Sequence, residues 1–241
     1  MNKYILILLI SIGISSCGIY RSNVINVPLL ERSGQANIGG HISFSGYEGQ
    51  ASFAVNSSIG MIANICDMGT VRDGNSTNYT IDRHNFKEIG VGYYSNKLEG
   101  RALGIYFIAG NGMTSHFATG GDTLQGHILP FSDFKEVKYS RYLLQADYGI
   151  TDGKYEYAIS PRIFIIQYYH IKDNASIEYK ELPSTYVYSD AAFTIRYKLL
   201  EYLKISGQFN ITVPLTGKYV GYYEASPFNC SVGIIADLNL F

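Results

Sequence analysis

The sequence has no tryptophan, little charge and no stretch with the period of an amphipathic helix. Charged residues are 16% of its 241 positions, against roughly 25% in ordinary soluble domains. A formal net charge of −1 leaves no electrostatic footprint for nucleic acid and excludes that class of partner. There is no nucleophile-elbow glycine pattern, no cysteine pair at metal spacing and no phosphate-cradling glycine loop, so no motif points to an enzyme, a metal or a cofactor. His116, Asp122 and His127 are close in sequence, yet their spacing matches no established ligand set and reads as a solvated loop. What the chain has in excess is tyrosine, at 22 residues. Little charge with many amphipathic aromatics fits a surface that lies largely against lipid.

Residues 1–17 read as a secretory leader. Lys3 gives a positive start, and 4–14 is an apolar run too short for a transmembrane helix, which needs about twenty residues. The run ends in Ile14-Ser15-Ser16-Cys17-Gly18, which resembles the bacterial lipobox, with Ile where Leu is commoner. The resemblance implies that Cys17 is lipidated and becomes the N-terminus. Residues 18–35 then form a tether. Its one apolar patch, Val27-Pro28-Leu29-Leu30, is expected to tuck against or into the near end of the domain, and Pro28 bars it from a central strand.

From 36 to 241 strands follow one another. The last, 226–241, places Phe228, Cys230, Val232, Ile234, Ala236, Leu238 and Leu240 on one parity and Asn229, Ser231, Asp237 and Asn239 on the other. A period of two over this length means one apolar and one polar face. Earlier segments repeat it: Ile38, Ile42 and Phe44; Ala51, Phe53 and Val55; Ile59, Met61 and Ile65; Ile89, Val91 and Tyr93; Leu103, Ile105 and Phe107. Later ones carry Tyr142, Leu144 and Tyr148; Tyr157, Ile159, Ile163 and Ile165; Val187, Phe193 and Ile195; Leu203, Ile205, Phe209 and Ile211. Phe53 is expected opposite Met61 in a tight hairpin, and the last strand is expected to pair with the first. Pro161 predicts a bulge or local break. Cys66 and Cys230 fall on opposite faces, so they cannot be bridged and two free thiols are expected.

Counted this way there are about ten strands, with eight or twelve as neighbouring counts, in an all-β, up-and-down antiparallel barrel. The segments 67–85, 110–134 and 172–183 read as long loops, alternating with tight turns at the opposite end. Short periplasmic turns and longer external loops are the asymmetry of outer-membrane barrels. An even count puts both ends of the barrel on the turn side, where a lipid on Cys17 would sit in the inner leaflet. Tyr93, Tyr142, Tyr155, Tyr157 and Tyr197 fall near strand ends, as interface girdles do. The terminal Phe241 reads as part of an assembly signal.

The chain resembles the small outer-membrane β-barrel proteins of diderm bacteria, and in particular outer-membrane lipoproteins of the Bacteroidota type. The local likeness lies in Ile25-Asn26-Val27-Pro28-Leu29-Leu30 and in Gln50-Ala51-Ser52-Phe53-Ala54-Val55 leading to Ile59-Gly60-Met61-Ile62-Ala63-Asn64. The family brings no catalytic residues. It implies outer-membrane lipids and the barrel-assembly and lipoprotein-processing machineries as partners.

The polar parity collects Arg141, Asp147, Glu156, Arg162, Asp190, Arg196, Lys204 and Asp237. Facing inward, these form a salt-bridge network that fills a narrow lumen, with Asp147 approaching Arg162 diagonally if Leu143 lies opposite Arg162. Three readings follow. The first is an outer-membrane lipoprotein without enzymatic activity that presents external loops from a filled barrel. The second is a lipid-anchored, lipocalin-like soluble barrel carrying an apolar ligand inside. The third is a small channel.

Overall fold

A computed structural model describes residues 22–240, apart from 76–77, 96, 98, 125–126, 174–184 and 217–227. The expected leader, Cys17, Phe241 and most of the expected 172–183 loop lie outside the described residues. Ten strands close into one antiparallel barrel: β1 (Gln35–Ser43), β2 (Gly46–Ala54), β3 (Ile59–Asn75), β4 (Asn78–Ser95), β5 (Arg101–Leu124), β6 (His127–Ile150), β7 (Tyr155–Asp173), β8 (Thr185–Leu200), β9 (Leu203–Pro214) and β10 (Phe228–Asn239). Each pairs with its sequence neighbours, and β1 pairs with β10, Ile38 lying opposite Ala236, to close the ring. The up-and-down barrel expected from alternation is the fold observed.

Alternation decides which face is which. Ile38, Ile65, Ile89, Phe107, Leu144, Ile163, Phe193 and Val232 all point outward and are exposed. Their strand neighbours Asn37, Asn64, Glu88, Tyr106, Gln145, Arg162, Thr194 and Ser231 are buried in the lumen. This is the reverse of a lipocalin, whose apolar face lines the cavity. Cys66 is buried inside while Cys230 is exposed outside, and neither is bridged. The hairpin of β2 and β3 has the expected register, with Phe53 opposite Met61.

Two regions expected as loops are strand instead. Residues 67–75 and 78–85 continue β3 and β4, with Asp67 opposite Asn85 and Asn75 opposite Asn78. Residues 110–124 and 127–134 continue β5 and β6, up to Leu124 opposite His127. The sequence there mixes polar residues and glycine with apolar residues on either parity, Ile128 next to Leu129 for example, which hides the period of two. The backbone ladder needs no apolar face to keep its hydrogen bonds. Tyr142 accordingly lies inside β6 rather than near its end.

The β6–β7 hairpin differs by two residues from the expected register: Gln145, not Leu143, lies opposite Arg162, and Gly149, not Asp147, opposite Ala158. The last pair is Ile150 opposite Tyr157, so the chain reverses through a wider connection than a tight turn at Asp152-Gly153, and Thr151 continues the ladder to the adjacent hairpin by donating its N–H to the Gly100 carbonyl (2.9 Å). A slip of two preserves every facing, whereas a slip of one would have inverted the strand. At Pro161 the β6 ladder is interrupted between the Gln145–Arg162 and Tyr148–Ile159 pairs, while the β8 side stays continuous, with Pro161 opposite Ala191. Proline has no N–H to give, so the ladder breaks on one side without a bulge.

The largest departure concerns the expected tether. From Ser22 onward the chain lies inside the barrel: every residue of 22–30 is buried. Leu29 and Leu30 sit at the turn end, as the apolar patch was expected to. Ser22, however, bonds to Ser45 in the β1–β2 connection and to Asn229 near the start of β10, both at the opposite end. The described chain therefore starts at the loop end, crosses the lumen and reverses before β1.

Candidate functional site

The lumen is the site this architecture builds, and the threaded segment is its centre. An extended chain with no strand beside it must find partners for its N–H and C=O groups among side chains. Gln208 of β9 supplies both: its Oε1 accepts from Ile25 N (2.7 Å) and its Nε2 donates to Ile25 O (2.9 Å). Glu48 of β2 accepts from Val24 N with both oxygens, at 2.9 Å each. Gln50 donates to Val24 O (3.0 Å), Gln145 to Asn26 O (2.6 Å), Arg196 to Val27 O and Asn37 to Pro28 O (2.6 Å). At the loop end Asn229 and Ser45 both donate to Ser22 O, and Asn210 donates to Ser22 Oγ (2.7 Å). Amide side chains spaced along the inner wall thus replace a neighbouring strand.

Room for the segment comes from small inward residues. Ile25, Val27 and Leu29 pack against Ala102, Ala158 and Ala192, and Leu30 against Ala54 and Tyr94. Leu29 holds a φ of 46°, a left-handed conformation uncommon outside glycine and asparagine. The two leucines diverge from this bend. Leu29 lies on Gly149 where a Cβ would collide, and Leu30 lies where a Cβ on Gly60 would come within 2.7 Å of it.

The eight charged residues read from the polar parity all face the lumen, but seven of them fall into three groups and Asp147 stands outside these. At the turn end Lys204 bridges Glu156 (2.8 Å) and Asp237 (2.9 Å), with Lys198 (3.3 Å) and Arg196 (3.9 Å) beside Glu156 and Gln35 donating to Asp237 (3.2 Å). Midway Arg162 pairs with Asp190, which also accepts from Thr212 (2.5 Å) and Ser22 (3.4 Å). Nearer the loop end Arg141 pairs with Glu88 (2.5 Å) and donates to Asn23 Oδ1 (2.9 Å). Asp147 does not pair with Arg162, because the two-residue difference in register sets Arg162 against Gln145. It accepts from Gln145 Nε2 instead (3.0 Å).

Above the segment lies an aromatic tier of Phe86, Tyr139, Phe164, Tyr168, Tyr186 and Tyr188, all buried. Phe164 and Tyr188 stack at 5.3 Å, and the Arg141 guanidinium lies 4.2 Å from the centre of the Phe86 ring, a cation–π geometry. His116, expected in a loop with Asp122 and His127, lies on β5 and pairs with Asp82 (2.6 Å). Asp122 falls opposite Leu129, and His127 opposite Leu124. Among the described residues no group of three or more His, Cys, Asp or Glu gathers as metal ligands do.

Glu48, Gln50, Glu88, Gln145, Gln208 and Asn210 are among the lumenal residues that sequence reasoning missed. Glu88 stands one place from Ile89, on the polar parity of its strand, so alternation alone finds it. The threaded segment has no such pattern, since all of its faces are buried. The signal for it is indirect. Inward positions filled by Gly60, Ala102, Gly149, Ala158 and Ala192 leave a lumen that wall side chains alone do not fill.

No protein-family model matches the chain, and no curated protein does. Its neighbours among solved structures are outer-membrane β-barrel proteins. It is similar to the translocator domain of the autotransporter NalP from Neisseria meningitidis, with 10% identity, a TM-score of 0.48, and coverage of 84% of this chain and 86% of that one. It is also similar to the outer membrane protease OmpT from Escherichia coli, with 10% identity, a TM-score of 0.48, and coverage of 86% and 94%. For CarO of Acinetobacter baumannii the identity is 8%, the TM-score 0.37, and the coverage 86% and 98%. At these values the likeness concerns architecture and transfers no residue roles.

Proposed function

We propose that this chain is an outer-membrane β-barrel lipoprotein with no enzymatic activity, which closes its own lumen and holds its tall hairpins out of the membrane as an interaction surface. One observation carries the reading: the outer wall is apolar around the ring, while the lumen is occupied by residues 22–30 and the ion pairs around them. An apolar exterior has its natural solvent in lipid, where Arg or Lys at the midplane costs about 2–4 kcal/mol. Among the described residues, the carboxylates, guanidiniums and amides around the threaded segment are engaged with each other or with its backbone, which supports a lumen closed to ions at that level. The hairpin ends of β3–β4 and β5–β6, which extend beyond the short strands β1, β2 and β10, are the parts suited to an aqueous partner, and rigidly held surface elements are where binding usually resides. Outer-membrane lipids surround the wall, and the barrel-assembly and lipoprotein-processing machineries act on it through Phe241 and Cys17. No cofactor is called for.

The expected behaviour is retention in the membrane after alkaline carbonate washing, faster migration on SDS gels when unboiled, and no stable conductance steps in planar bilayers. Carrying Cys17→Ala, the protein remains membrane-integrated. A folded Cys17→Ala protein found soluble in the periplasm overturns the reading, and reproducible single-channel openings overturn the closed lumen. Deleting Phe241 is expected to lower the amount inserted without changing the properties of the inserted fraction.

A further inference from the structure

We infer that the barrel is threaded by its own N-terminus, so that Cys17 stands at the loop end and an acyl group on it enters the outer leaflet, not the inner one. The inference rests on the membrane-barrel reading above and adds the side from which the chain enters.

The direction of the segment is fixed by contacts at several heights. Ser22 meets Ser45 and Asn229 at the loop-end rim. Ile25 meets Gln208 partway down, and Pro28 meets Asn37 two residues into β1. Leu30 reaches Ala54 and Tyr94, beside the 55–58 turn. From Gln35 to Ser45 the wall climbs ten residues. At about 3.3 Å per residue and a tilt near 40°, that is roughly 25 Å of height, the thickness of the apolar band of such barrels. Ser22 therefore lies about one membrane thickness from the turn end.

Four residues lie between Cys17 and Ser22, and the five extended steps from one to the other reach at most about 18 Å. That is too short to return to the turn end, even along an unobstructed path. The path is obstructed, because the lumen below Ser22 is occupied by residues 23–30 themselves. An even strand count places the start of β1 on the turn side, but the 31–34 reversal and the threaded segment carry the chain back across.

Among the described strands, the wall is low where the segment enters. β1, β2 and β10 reach only as far as Ser43, Gly46 and Phe228 on this side, whereas β5 and β6 continue for many residues beyond. A chain leaving the lumen at Ser22 meets the low rim formed by Ser45 and Asn229, and an acyl group passing over that rim enters lipid at the height of the outer leaflet.

The test uses the full chain in intact diderm cells, with Cys230→Ser removing the outward thiol. Tyr20→Cys is compared with Lys172→Cys at the loop end and Asp152→Cys at the turn end, using a membrane-impermeant biotin maleimide before and after permeabilisation. The expected result is that Tyr20→Cys labels in intact cells as strongly as Lys172→Cys, while Asp152→Cys labels only after permeabilisation. Labelling of Tyr20→Cys only alongside Asp152→Cys overturns threading, and so does its failure to label in either state. Carbonate retention and the unboiled gel shift are read on every variant. Loss of these in the parent protein defeats the membrane reading itself, whereas their retention with turn-side labelling defeats threading alone.

Discussion

On one side of the barrel β1, β2, β9 and β10 run for 9, 9, 12 and 12 residues; on the other, β3 to β7 run for between 17 and 24. The two sides fill the space in front of them differently. The short wall turns Ser45, Glu48, Gln50, Asn37, Gln208, Asn210 and Asn229 onto the threaded chain. The tall wall, above the point where that chain begins, closes on its own aromatic side chains. Polar side chains suit the first task because an extended backbone carries a donor and an acceptor at each residue that must be met. Rings suit the second because they fill volume while leaving few polar atoms to satisfy. The comparison teaches that the lumen has two fillings, one supplied by the chain's beginning and one by the wall itself.

The strongest way to break this arrangement is at the seam between the two sides. Asp190→Ala leaves Arg162 buried without its carboxylate and removes the acceptor of Thr212 and Ser22. A loss of about 3–5 kcal/mol is expected in urea unfolding from detergent or lipid. Next comes the outer face of the tall wall, where Leu144→Arg sets a charge among Phe107 and Ile163; about 2–4 kcal/mol is expected in the same assay, and no loss would mean that this height is not in lipid. Gln208→Ala tests the short wall. It deprives Ile25 of both backbone partners and is expected to cost about 1–3 kcal/mol. Hydrogen exchange should then quicken at 24–26 and stay unchanged around Tyr188; equal quickening in both places would show that the two fillings are one cooperative unit. The smallest effect is expected for Lys172→Ala, exposed at the top of β7, whose unfolding free energy should stay within about 0.5 kcal/mol of the parent.

Much of the fold was legible from alternation because the two sides of a barrel wall meet different solvents all the way round. The pairing of Phe53 with Met61, the closure of β10 on β1 and the interruption at Pro161 follow from parity and from the missing proline N–H. The strand extensions at 67–85 and 110–134 were not legible. There polar and apolar residues fall on either parity, Ile128 next to Leu129 for example, and the period of two vanishes. The charged lumenal residues were found by parity, but their partners were not. Pairing depends on register, and the β6–β7 register, with Ile150 opposite Tyr157, differs by two from the one a tight turn would set.

By itself the sequence determined which residues of the alternating strands share a face, since a period of two is a local property of the backbone; which face points outward was decided by the structure. The sequence also determined where a strand must lose its ladder and which thiols cannot meet. Only the tertiary structure decided where 22–30 goes. Those nine residues carry no alternation, because a chain surrounded on all sides has no outer face to mark. Their place depends on vacancies opposite Gly60, Ala102, Gly149 and Ala192, and on amides carried by strands far away in sequence, which come together only when the ring closes.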